Sequence, residues 1–360
     1  MRADSTASGA LSFKAPTFAM AKTTSVLGNY VDRLKASGFP INDTIDVQEC
    51  DANLQAPANS ATNCDVFTEI TGTTGPSGVV VFTTGVTMRV NGAYSDGAGG
   101  MCNVGGSCAI GVTDANHTAI GLQESVSFAS PVVLIKKTAN VLGNYVDSVK
   151  ASGFPANDTI VAQECNPGVV FPTTVAANCD TANEVTGMAA ANGKVNISPG
   201  ITVAVGGAYS DQSGGMCPAG NGCEFVVYDQ GNPSVGLGEA VTFASPTGTV
   251  AATANIQPNT LDKVTAGMFP NGDTVTAEEC DNAVTPANVG TNCDVFTEIS
   301  GTAGPSGKVA FNAVGVTVKV GAAYSDGAGG TVPAGGTADI VINDATHSGF
   351  FIAVPISLAG

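Results

Sequence analysis

Three copies of one phrase hold the residue types best suited to chemistry: AYSDGAGG at 93–100, AYSDQSGG at 208–215 and AYSDGAGG at 323–330. Tyr94, Ser95 and Asp96 are the types that serve as a nucleophile and an acid. A serine attacks only when a positioned base takes its proton. The two histidines of the chain, His117 and His347, fall in a different loop near the end of their repeats. Without a base, the motif reads as a tyrosine at a sandwich edge followed by a turn of Asp and flexible Gly. The expectation is that the chain is not an enzyme and has no catalytic, cofactor-binding or metal site.

Other residues invite chemistry and are given plainer readings. Asp46, Glu49, Asp51, Asp96 and Asp114 offer oxygens to a calcium ion, but the spacing of a calcium loop is missing and they are expected on solvated faces. Lys35 and Lys150 are equivalent and would suit internal Lys–Asn cross-links, yet the third repeat has Thr265 there, so both read as ordinary exposed lysines. Asn42, Asn116, Asn157 and Asn196 begin Asn-x-Ser/Thr sequons, which a chain rich in Thr and Asn also generates by chance.

The elements that must position these residues recur with the same period. Tyr94, Tyr209 and Tyr324 are 115 residues apart, as are Pro16, Pro131 and Pro246, which open each repeat. A chain of 360 residues is thereby divided into units of modal domain size, at 16–130, 131–245 and 246–360. No Gly/Ser spacer separates them, so neighbours should be held close. The 1–15 segment resembles an orphan last strand: ALSFKAP at 10–16 aligns with SVSFASP at 125–131, placing Leu11 and Phe13 as candidates for a strand donated to a neighbouring molecule. Residues 1–25 lack an apolar signal core, which implies a removed leader or a start inside a longer precursor.

Within each repeat the signal is period-two alternation. Val86, Met88 and Val90 alternate with Thr87, Arg89 and Asn91, and DTIDVQEC, DTIVAQEC and DTVTAEEC alternate up to the first cysteine of each repeat. The segment SVLGNYVDRLK at 25–35 has apolar residues at helical spacing, but Gly28-Asn29 weakens a helix and it is assigned to strand. About seven short strands per repeat predict an all-β fold of three tandem immunoglobulin-like seven-stranded sandwiches. The composition agrees: 43% hydrophobic, 6% aromatic and 46 glycines suit strands and tight turns. A net charge of −17 repels phosphate backbones, which argues against nucleic acid as a partner. No apolar run is long enough to span a membrane.

Ten cysteines fall at separations of 14, 6, 14, 6 and 13, an even periodic set that argues for local disulfides and an oxidising compartment. These cysteines, the Gly38-Phe39 pair, the strand ending DVQEC and the closing GVTDANH…GLQESVSF together resemble the neocarzinostatin/macromomycin family of secreted actinobacterial apoproteins. The resemblance covers each repeat nearly end to end. It implies disulfides Cys50–Cys64, Cys102–Cys108, Cys165–Cys179, Cys217–Cys223 and Cys280–Cys293, with Val332 and Ala338 standing where the third repeat loses its second bridge. It also implies an extracellular or cell-surface location in an actinobacterium-like bacterium.

Family members carry an enediyne chromophore in a cleft lined by aromatic rings. Here the loop before Cys102 is YSDGAGGM, and walls of Gly, Ala and Ser provide no stacking face. The expected function is therefore a secreted or cell-surface structural protein, a rod-like array that forms a filament or surface layer, by strand donation, or mediates adhesion. It self-associates and needs no cofactor. The alternative is a small-molecule carrier of antimicrobial role, which would add a small-molecule ligand as partner.

Overall fold

The computed structural model describes residues 14–360 apart from 91–101, 104, 171–172, 205–216, 218–221, 282–283, 320–331 and 348. Leu11 and Phe13, and the AYSD motifs with Tyr94, Tyr209 and Tyr324, lie outside the described residues.

Alternating strands bury one face each, and two such faces close on one another to form each sandwich. The second repeat shows this most simply. One sheet runs in the order Val132–Ile135, Val146–Ser152, Val195–Thr202, and the other in the order Val185–Met188, Thr159–Cys165, Gly222–Asp229, Gly236–Thr242. All these pairings are antiparallel. Phe154, Ile160, Ile201 and Phe225 fill the space between the sheets and are fully enclosed. Burying a side chain of that size contributes roughly 1.5–3 kcal/mol, so the two sheets are held mainly by these interior residues.

The first and third repeats keep the same plan with one exchange. Val79–Val81 pairs with Leu34–Ser37 in the first repeat, whereas Val309–Phe311 pairs with Ile299–Ala303 in the third, which gives that repeat a five-stranded sheet. In every repeat the entry segment makes a parallel bridge to the closing strand, at Val26–Phe128, Val141–Phe243 and Ile256–Leu358.

The five disulfides join Cys50 to Cys64, Cys102 to Cys108, Cys165 to Cys179, Cys217 to Cys223 and Cys280 to Cys293. Val332 and Ala338 are 2% and 0% exposed, so the third repeat fills the place of its missing bridge with packed side chains. Among the described residues no helix is long and apolar enough to cross a membrane.

The segment at 25–35 corrects one expectation in part. Val31–Asp32 and Leu34–Ser37 are strand, but Leu27 to Tyr30 is a tight turn in which the Tyr30 N–H donates to the Leu27 carbonyl. Asn29 sits there at φ 60°, in the left-handed region where Asn is among the better tolerated residues.

Candidate functional site

That turn builds the contact between neighbouring repeats. The Asn29 N–H donates to the Met88 carbonyl and the Met88 N–H to the Tyr30 carbonyl, which fix the turn to the sheet behind it. Its side chain then reaches the next repeat: Asn29 Nδ2 donates to both carboxylate oxygens of Asp158, at 2.8 and 2.9 Å. The Ala156 N–H donates to the Gly28 carbonyl at 3.1 Å. Gly28 lies flat on Pro155, where an added Cβ would come within 2.9 Å of the ring. On the side of the second repeat, Gly193 leaves room for the methyl groups of Leu27. Asn232 Nδ2 closes the far side by donating to the Val90 carbonyl at 2.6 Å.

The second and third repeats meet through equivalent residues, although Asn144 Nδ2 donates to one oxygen of Asp273 and to the Asn271 carbonyl where Asn29 uses both oxygens of Asp158. Asn144, at φ 57°, donates to Asp273 Oδ1 at 2.8 Å, the Asn271 N–H donates to the Gly143 carbonyl at 3.0 Å, and Gly143 lies on Pro270. Leu142 packs over Gly307. The turn of the third repeat keeps Asn259 at φ 60° but reads Gln257-Pro258-Asn259, exposed throughout. A proline ring stands where both working junctions require a glycine, so a repeat of this kind cannot seat there in the geometry of the first two.

Inside each sandwich a second recurring site was missed by treating acidic residues as solvated. Glu49 is 0% exposed, as are Glu164 and Glu279. One oxygen of each accepts a backbone N–H: Arg89 at 2.7 Å, Ala204 at 2.6 Å and Lys319 at 2.6 Å. The other oxygen has no hydrogen-bond partner. Desolvation is the largest influence on all three, and it pushes Glu49 and Glu164 up to about 8 and Glu279 up to about 7. Beside them Arg89 and Lys319 pair with the buried Asp65 and Asp294, at 3.2 and 2.6 Å. The signal was present in DTIDVQEC, where Glu49 shares the parity of Ile45 and Val47.

The remaining candidates divide by exposure. Lys35, Lys150 and Thr265 are exposed on the outer sheets. Asp114 is 1% exposed, against the solvated reading, because it ends a strand and turns inward to accept the Asn116 and His117 N–H groups. Asp46 is half-buried, and burial, then Glu69 and Asp114, raise its pKa above the usual carboxylate range. A groove of about 880 Å³ lies on the outer sheet of the third repeat between Gly248 and Val314, and a polar one of about 620 Å³ follows the first junction.

Fold and junction together define a tandem array of disulfide-containing, immunoglobulin-like β-sandwiches. No family model matches the chain, and no curated protein does. Among solved structures, it is similar to a four-repeat stretch of the extending region of a large adhesion protein, with 14% identity over 96% of this chain and 74% of that one, at a TM-score of 0.25. It is also similar to macromomycin, with 18% identity over 32% of this chain and all of that one, at 0.23. A third similarity is to the adhesin InvE of Yersinia pseudotuberculosis, with 12% identity over 63% of this chain and 58% of that one, at 0.23.

Proposed function

We propose that the chain is an extracellular structural element, a stiff spacer of an adhesive or surface assembly. The observation that carries this reading is the junction: two successive repeat pairs use the same Gly-Asn turn, the same Asp acceptor and the same proline seat. Contacts that recur at equivalent residues favour one orientation of neighbours, where a flexible linker would permit many. Five disulfides fit an oxidising exterior. Small-angle X-ray scattering of the whole chain tests this: an elongated particle with one narrow distribution of lengths is expected, and a broad distribution would refute a stiff spacer.

The stronger form of the proposal is a filament or surface layer. Pro258 blocks the junction as a route between chains, so on this reading association between copies falls to the segment that holds Leu11 and Phe13. Removing residues 1–15 then leaves folded monomers that do not assemble when viewed by electron microscopy. Assembly unchanged by that truncation would sink strand donation.

A further inference from the structure

We propose that the first and third repeats each bind one divalent transition ion of the zinc class, the first through His117 Nδ1, Asp43 Oδ2 and Asp114 Oδ2, the third through His347 Nδ1, Asp273 Oδ2 and Asp344 Oδ2. In each repeat these three groups place one atom apiece within 4.8 Å of the others. His117 Nδ1 is 2.7 Å from Asp43 Oδ2 and 3.4 Å from Asp114 Oδ2, and the corresponding distances from His347 are 2.7 and 3.6 Å. Ligand atoms about 2 Å from a tetrahedral ion lie about 3.3 Å from each other. The histidine-to-carboxylate separations of both repeats bracket that spacing, and the two carboxylate oxygens lie within 4.8 Å of each other.

The second observation is the state of the inner carboxylate. Asp114 and Asp344 are each 1% exposed. Oδ1 of each is taken by two backbone N–H groups, while Oδ2, the atom facing the histidine, is buried with no hydrogen-bond partner. A single Nδ1 proton serves one carboxylate at a time and in this structure goes to Asp43 or Asp273. A dication in place of that proton would satisfy both carboxylates and the ring nitrogen together. Three ligands of imidazole and carboxylate type, with a fourth place left to water, suit zinc and its neighbours. Calcium takes six to eight oxygens, which this corner does not offer.

The second repeat supplies an internal control. Its carboxylate pair, Asp158 and Asp229, is retained, but Asn232 stands at the histidine position and spends its Nδ2 on the Val90 carbonyl of the preceding repeat. No ion is expected there. In the third repeat Asp273 also receives Asn144 from the second, so the ion would lie one carboxylate away from a junction.

The test is titration of the intact chain, freed of metal by a chelator, with Zn²⁺ by calorimetry at a fixed pH, and with Co²⁺ followed by its visible absorption. Two ions per chain and the bands of a tetrahedral Co²⁺ site are expected. H117N, which copies the residue used by the second repeat, should reduce the count to one, and H117N/H347N to none. D114N, checked for folding by circular dichroism, should weaken the first site at least tenfold. Overturning results are no saturable binding, binding of Ca²⁺ but not of Zn²⁺ or Co²⁺, a count unchanged in H117N/H347N, or a folded D114N of unchanged affinity, which would mean a surface histidine acting alone.

Discussion

Glu49, Glu164 and Glu279 each place a carboxyl group where the alternation of their strand demands an apolar one. Each is held by a single backbone N–H, so its charged form is poorly solvated and its proton is retained to about pH 7–8. The unfolded chain gives up that proton near pH 4.3. Between the two values the folded state binds more protons, so stability is greatest below the unfolded value and is lost as pH rises through the folded one. Each group contributes a slope of at most roughly 1.4 kcal/mol per pH unit. Calorimetric melting from pH 5 to pH 9 should show a falling Tm, and E49Q/E164Q/E279Q should flatten it by removing the charge while keeping an acceptor for the N–H. An unchanged slope in the triple variant would place the pH dependence elsewhere. These residues were legible in the parity of DTIDVQEC, DTIVAQEC and DTVTAEEC, and were overlooked because acidic side chains are rarely enclosed without a partner.

At the level of elements, the sandwich was legible because period-two alternation records directly which face of a strand is buried. The turn at 27–30 was not. Its apolar residues fall at helical spacing because they serve two surfaces: Val26 is enclosed in its own core, while Leu27 packs on the next repeat. No single-element pattern encodes contact with a second domain. The ribbon of the third repeat gives an element-scale prediction. Val332 and Ala338 occupy the positions of Cys102 and Cys108 and are enclosed, so V332C/A338C should restore a bridge without new surface. Closing a loop of that length contributes about 2 kcal/mol in the chain-entropy account. Mass spectrometry should find no free thiol, and urea unfolding should show that gain, lost again under reducing conditions.

For the molecule as a whole, the two junctions and the blocked third turn make one argument about polarity. Gly28 and Gly143 allow close approach to Pro155 and Pro270, and a methyl group at either would meet the ring at 2.9 or 2.8 Å. G28A/G143A should therefore loosen the array while leaving each sandwich folded: scattering should show a broader range of lengths, with near-ultraviolet circular dichroism unchanged. The opposite change is more telling. The first repeat presents Pro40, Ile41 and Asn42 exposed beside Asp43, the same surface that the second and third repeats offer to their predecessors. Gln257 and Pro258 stand where the third repeat of another copy would need Leu and Gly to use it. In a chain without residues 1–15, Q257L/P258G should produce association that grows with concentration in sedimentation velocity, and D43A should reduce it by removing the acceptor for Asn259. Such contacts are head-to-tail and unclosed, so the product is an open chain of molecules, not a ring or dimer. If Q257L/P258G stayed monomeric at every concentration, the Gly-Asn turn would not be sufficient to join repeats, and the stiffness of the array would have to come from the covalent connections.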